Sequence, residues 1–196
     1  MIRSGQLTLK FRPGLRLSDE TFRRLCRANP NLRLERTANG ELVVMPPSAP
    51  ESSRRNMSLG AQLWNWNRQT GLGVVFDSSA GFTLPNTAIR APDATWMTRE
   101  HWDELPRDER EKFALVCPDL VVELRSRGDR MKDLRDKMRE YIAQGARLGW
   151  LIDPNNGKIE IYRPERPVEV LERPATLSGE DVLPEFVLDL KGISFD

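Results

Sequence analysis

Histidine and cysteine are nearly missing from this chain: its 196 residues hold one histidine, His101, and two cysteines, Cys26 and Cys117. Two thiols far apart in sequence, each in an apolar setting, do not make the cross-linked framework of a small secreted domain, and both are expected to be buried and reduced. One histidine and two scattered cysteines exclude a four-ligand zinc site, and His101 lies in a charged stretch from which no Ser-His-Asp arrangement follows. Neither a GxxxxGK[ST] loop nor a GxGxxG turn occurs, so the usual nucleotide cradles are excluded. No apolar run approaches the roughly 20 residues of a membrane span, and the opening MIRSGQLTLKFRPG lacks the apolar core of a signal peptide. A soluble, cytoplasmic protein that does not enter membranes is expected. Charge of one sign is not in excess either: 30 Lys and Arg against 29 Asp and Glu leave a net charge of +1. No global field draws the molecule to nucleic acid, and any phosphate-binding surface must be local.

What is present suffices for one large domain, since 39% of the residues are hydrophobic. One domain over residues 1–196, with a core at about 17–186, is the expectation. Ser18 before Asp19 and Glu20, with Leu17 able to pack on Phe22, starts a helix that ends near Asn29-Pro30. Leu32-Arg33-Leu34 and Leu42-Val43-Val44 flank an Asn39-Gly40 turn and predict a β-hairpin. From about Pro50 to Thr70, Met57, Leu59, Leu63, Trp64 and Trp66 fall at partly helical spacing, closed by Gly71 or Gly73. Residues 73–76, 81–84 and 93–97 read as short strands, followed by a charged, solvated helical insertion over 99–112. Residues 119–124 form an apolar run ending in Glu123-Leu124, the best central-strand candidate. A helix over 129–144 and a strand over 147–153 complete a βαβ crossover, after which Asn155-Asn156-Gly157 turns the chain into an antiparallel strand over 158–162. The proline-bearing remainder supports one or two edge strands. The expected fold class is α/β, a central mixed β-sheet with a βαβ crossover, flanked by helices and preceded by a helix and a hairpin.

The chemistry must then come from acids. Asp93 and Glu123 interrupt apolar strand neighbourhoods, where carboxylates cost solvation unless paired or metal-bound. Two carboxylates from neighbouring strands supply hard oxygens suited to Mg²⁺ or Mn²⁺. On spacing alone a second reading stands beside this one, in which Asp93 caps the turn after Pro92 and Glu123 pairs with an arginine. The segment over 124–140 carries seven basic residues against four acids and is read as the local phosphate-binding surface. Within it Lys137, beside Leu134 and Met138, can send its stem across the sheet toward Glu123. It can equally form a surface i,i+4 pair with Asp133.

The residues resemble the PD-(D/E)XK nuclease superfamily through Pro92-Asp93 and Glu123-Leu124-Arg125. Within it the chain resembles the Uma-two family of restriction-endonuclease-like proteins, through GELVVMPP, GFTLP with APDATW, PDLVVELRS, DLRDKMREYIAQGA and GWLIDP in that order, from Leu17 to Phe186. The resemblance implies a restriction-endonuclease-like fold and hydrolysis of a nucleic-acid phosphodiester, with DNA as the expected partner. It implies Asp93, Glu123 and the Leu124 backbone carbonyl as metal ligands for Mg²⁺ or Mn²⁺. Lys137 would replace the strand lysine from the helix, Arg125 in the strand lysine's place would contact phosphate, and Glu35 in the first hairpin would be an accessory acid. Arginine is a poor general base, so this departure leaves a catalytically silent nucleic-acid-binding or protein-interaction module as the alternative. Relatives of the superfamily often act as dimers, which makes a homodimer an open expectation.

Overall fold

The structure, a computed structural model, describes Leu7–Leu9 and residues 16–194. Most of the opening segment read above for a targeting signal lies outside the described residues. The first strand, β1 (Leu7–Leu9), was not expected from the sequence. Helix α1 (Asp19–Ala28) starts where predicted, the Ser18 hydroxyl accepting the Thr21 N–H, and packs Phe22 against Leu17 and Leu25. Strands β2 (Arg33–Arg36) and β3 (Leu42–Met45) form the predicted hairpin. Helix α2 (Pro50–Thr70) has proline in its first turn and ends on Gly71, whose φ of 68° is the left-handed cap that glycine adopts without a Cβ penalty. Its exposed residues depart from expectation: Leu59 and Leu63 are buried, whereas Met57 and Trp64 are 72% and 53% exposed.

Then come β4 (Gly73–Asp77), β5 (Phe82–Thr83), β6 (Ile89–Arg90) and β7 (Ala94–Thr98). The strand expected over 81–84 shrinks to two residues: it pairs with β6, itself too short to show a period in sequence, and on its other side makes a single bridge from Thr83 to Leu115. Asp93 stands just before β7, but its N–H donates to the Val122 carbonyl, so it still abuts the central strand. The charged insertion is two short helices, α3 (Arg99–Glu104) and α4 (Arg107–Arg110). They break at Leu105, which precedes Pro106 and takes the extended backbone that a following proline favours. His101 does not stand apart there: Nδ1 lies 3.0 Å from the buried Asp119 carboxylate, at the opposite end of the central strand from Glu123.

That strand, β8 (Leu120–Leu124), leads through α5 (Met131–Ala143) into β9 (Leu148–Asp153). The pair β8–β9 is parallel, as a βαβ crossover requires. Strand β10 (Lys158–Tyr162) returns antiparallel, and β11 (Glu169–Glu172) forms the edge. The tail holds more than the one or two edge strands expected. Strands β12 (Thr176–Ser178) and β13 (Val187–Asp189) pair with each other, and Leu177, Leu183, Phe186 and Leu188 close over one face of the main sheet.

The main sheet runs β11-β10-β9-β8-β7-β4, beside a smaller sheet of order β1-β3-β2-β6-β5. Strand alternation sorts β8 cleanly: Leu120, Val122 and Leu124 join the α2 side of the core, and Val121 joins the α5 side with Leu134, Met138 and Tyr141. Glu123, two residues from Val121, therefore faces α5. Helix and sheet approach closely here, since a Cβ on Gly149 of β9 would lie 2.6 Å from the Met138 methyl.

Candidate functional site

On α5 the positions 134, 137, 138 and 141 share the stripe that covers the sheet, and Lys137 is the one charged member. Its stem crosses buried surface and its Nζ lies 2.7 Å from Glu123 Oε1 and 2.8 Å from Glu35 Oε1. The Tyr141 hydroxyl, one turn later, donates to Glu123 Oε1 at 2.9 Å. Glu35, on β2, is only 1% exposed and also accepts from the Ala91 N–H and from Arg90. Arg90 in turn donates to Glu140, which accepts from Asn86 as well. Lys137 and Arg90 thus tie the small sheet, the main sheet and α5 together at one point.

Asp93 closes the group from the β7 side. Its Oδ2 accepts the Leu124 N–H at 2.9 Å, and its Oδ1 accepts from Asn56 of α2 at 3.2 Å. The Arg33 guanidinium stands 3.9 Å from the same Oδ1. Among the described residues no three His, Cys, Asp or Glu side chains form a ready-made cage for a metal ion. A cation here would rely on Asp93, Glu123 and neutral oxygens.

The electrostatics follow from burial. Desolvation pushes the Glu123 carboxyl up to about 7, with Asp93 and Glu35 adding to the rise and Lys137 opposing it. Burial acts in the same direction on Glu35, yet Lys137 and Arg90 overcome it and hold that carboxyl below its ordinary range. Lys137 would lose its proton more easily through burial alone, but Glu123 and Glu35 outweigh this and keep it an ammonium. Burial and the neighbouring Glu123 raise the Tyr141 hydroxyl well above its ordinary value, so it stays a donor. Four carboxylates, those of Glu35, Asp93, Glu123 and Glu140, face three cations, the buried Lys137 and Arg90 and the partly exposed Arg33, and Asn56 Oδ1 beside Asp93 is buried with no hydrogen-bond partner. An excess of acid, one carboxyl driven toward its neutral form and an orphaned hard oxygen are features that a divalent cation would satisfy.

The structure brings together Asp93, Glu123, Leu124, Lys137 and Glu35, and leaves Arg125 out. The Arg125 guanidinium donates to Asp153 at 2.7 Å, an internal pairing: Arg125 follows the last residue of β8, and the parallel register that sets Leu124 beside Ile152 brings it next to Asp153 at the end of β9. The surface pair of Lys137 with Asp133 does not form either, since the buried carboxylates claim the lysine. Nor is the basic run over 124–140 an open phosphate surface. Arg125, Arg130, Arg135, Lys137 and Arg139 all lie against acids of this chain, which leaves Arg127 and Lys132 without an acidic partner among the described residues. Both thiols are free and partly rather than fully buried; desolvation pushes the Cys117 thiol up to about 12.

Tyr141, Arg90 and Asn56 were not singled out from the sequence. Tyr141 had a signal, its place one turn after Lys137 on the same stripe. Arg90 and Asn56 had none, because their partners lie in other elements.

The family whose description reads "Putative restriction endonuclease", Uma2, matches residues 19–191. Among solved structures, the chain is similar to one described as "a putative nuclease belonging to DUF820" from Anabaena variabilis, with a TM-score of 0.70 and 20% identity over 82% of this chain and 88% of that one. No curated protein matches. The expected restriction-endonuclease-like α/β fold is therefore the one observed, at an identity that speaks for the fold alone. The residues that carry the motifs and the match over residues 19–191 agree: the chain belongs to the Uma2 family.

Proposed function

We propose that this protein is a divalent-metal-dependent phosphodiesterase that hydrolyses nucleic acid, with DNA as the preferred substrate. The observation that carries the reading is the meeting of Asp93, just before β7, Glu123, near the end of β8, and Lys137, in the middle of α5, in a cluster where carboxylates outnumber cations. Asp93 and Glu123 would hold Mg²⁺ or Mn²⁺. The Leu124 carbonyl is the third candidate, because in an extended strand a residue's N–H and C=O point to the same side, and the Leu124 N–H already meets Asp93. Such an ion, when bound, supplies an acidified water and neutralises charge growing on phosphorus.

The chain's own residues do the rest. Lys137, kept protonated, orients the nucleophile by donation and does not act as its base. Glu35 clamps Lys137 and Tyr141 holds the Glu123 carboxylate in line, so both are positioning residues. Arg33, not Arg125, is the guanidinium beside Asp93 and is placed to meet a phosphate oxygen.

The test is plasmid nicking with Mg²⁺ or Mn²⁺, with and without a chelator. Asp93→Asn and Glu123→Gln should each abolish nicking, while Val170→Thr, a change on the exposed edge strand β11, should leave it intact. Wild-type protein that binds Mn²⁺ in calorimetry but never cleaves would reject catalysis and leave a binding module.

A further inference from the structure

The face of α2 turned toward Asp93 is unusual for a buried-site wall. Along it Asn56, Met57, Gly60, Ala61 and Trp64 line a cleft of about 800 Å³ that reaches Asp93 at one end. The indole of Trp64 and the thioether of Met57 are largely exposed there, and a Cβ added at Gly60 would touch nothing within 4 Å. Among the described residues no lysine or arginine lines this cleft, whose charged members are Asp77 and Asp93; the Arg33 guanidinium stands 3.9 Å from Asp93 but is not part of the lining. Flat aromatic and apolar walls with a few polar rims, in a volume typical of small-ligand sites, suit a planar ring.

A second cleft of about 510 Å³ adjoins the first, sharing Phe76, Ser79 and Ala80. Its character is opposite. Arg23, Arg27, Arg110 and Lys112 line it together with Trp102 and Phe113. Arg110 lies over the Trp102 ring and Lys112 is held by Asp108 and Glu109. Arg23 rests over Phe113, and neither it nor Arg27 has an acidic partner among the described residues. These two guanidiniums give this cleft a positive surface of its own, apart from Arg127 and Lys132 of the 124–140 segment.

We propose that the two clefts form one track for a single nucleic-acid strand, with an unpaired base of the strand stacked on Trp64 next to Asp93 and the strand's phosphates continuing onto Arg23 and Arg27. This rests on the nucleic-acid substrate proposed above and sharpens it to single-stranded or locally unpaired chains. A duplex keeps its bases stacked inside and offers none to the exposed Trp64 and Met57, and beside Asp93 its phosphates would meet Arg33 alone. Bases on aromatic platforms with backbone on arginines is the general physics of single-strand binding.

The experiment is fluorescence anisotropy in EDTA with a labelled oligonucleotide of about 16 nucleotides, single-stranded and as duplex, across a range of KCl. Trp64→Ala should weaken single-strand binding about tenfold or more. Gly60→Leu, which fills open space and favours the helix, should do the same in a protein that remains folded. Arg23→Gln with Arg27→Gln should reduce the slope of log K against log salt by about 1.4, two phosphate contacts' worth. Wild-type protein that cleaves plasmid but binds duplex as well as single strand, or whose binding ignores Trp64→Ala and Gly60→Leu, overturns the track alone. Wild-type protein with neither oligonucleotide binding nor cleavage overturns the nucleic-acid reading itself, and the track with it.

Discussion

Lys137 and Glu123 meet at 2.7 Å across the α5–β8 interface, an ion pair in which both side chains are less than 10% exposed. Burial of this kind is costly unless charge and hydrogen bonds are all matched, and here a second carboxylate, Glu35, and a phenol, Tyr141, complete the match. The pair sits where chain chemistry and chain stability are the same question.

Lys137→Met keeps the stem and removes the charge. It strands Glu35 and Glu123 in the interior, and should cost about 3–5 kcal/mol at neutral pH. The loss should shrink as acid neutralises the carboxyls. Denaturant unfolding at about pH 7.5 and at about pH 4.5 decides. An equal loss at both would show that packing, not charge, is what Lys137 provides.

Glu123 gives the metal-free protein a distinctive pH dependence. Its carboxyl is raised from 4.5 to about 7 in the folded state. Between those values the folded chain binds a proton that the unfolded chain has released, so stability falls as pH rises through the window and is level above it. Glu35, held low, contributes only below the window, and Lys137, held high, only above it. Unfolding midpoints measured in EDTA from acid to neutral should decline for wild type and not for Glu123→Gln. A flat wild-type profile would contradict the raised carboxyl. Mn²⁺, which favours the ionised carboxylate, should bind more tightly as pH rises through the same window.

Tyr141→Phe deletes one hydroxyl and leaves the ring packed. The lost donation to Glu123 should cost about 1–2 kcal/mol and raise the Glu123 carboxyl further. Carboxyl titration followed by NMR reads the second effect directly. A stability loss with no movement of that titration would make Tyr141 a packing residue only.

Arg125→Gln tests the reassignment of the strand arginine. Its bond to Asp153 predicts a loss of stability of about 1–3 kcal/mol with Mn²⁺ affinity and cleavage within about threefold of wild type. Abolished cleavage in a protein of unchanged stability would return Arg125 to the substrate.

Much of this architecture was legible because it depends on local pattern. The cap at Ser18, the Asn39-Gly40 hairpin, the bounds of α2, the βαβ unit through α5 and the separation of Glu123 from its apolar neighbours all follow from periodicity and turn chemistry within one segment. Strands of two or three residues carry no period, which is why β1, β6, β12 and β13 were missed or undercounted.

What the sequence by itself determined is the kind of chemistry open to the chain: one histidine, no nucleotide loop, and acids at strand ends beside a basic helix. Which of those charges are used was decided by tertiary structure. Arg125 and Lys137 look equivalent as two cations near Glu123 in the same basic run, yet the β8–β9 register sets one beside Asp153 while the α5 stripe delivers the other between Glu35 and Glu123. The reason is physical: a carboxylate inside the fold takes whichever cation the packing can bring without exposing it to water, and packing joins residues from β2, β8 and α5 that no spacing along the chain relates.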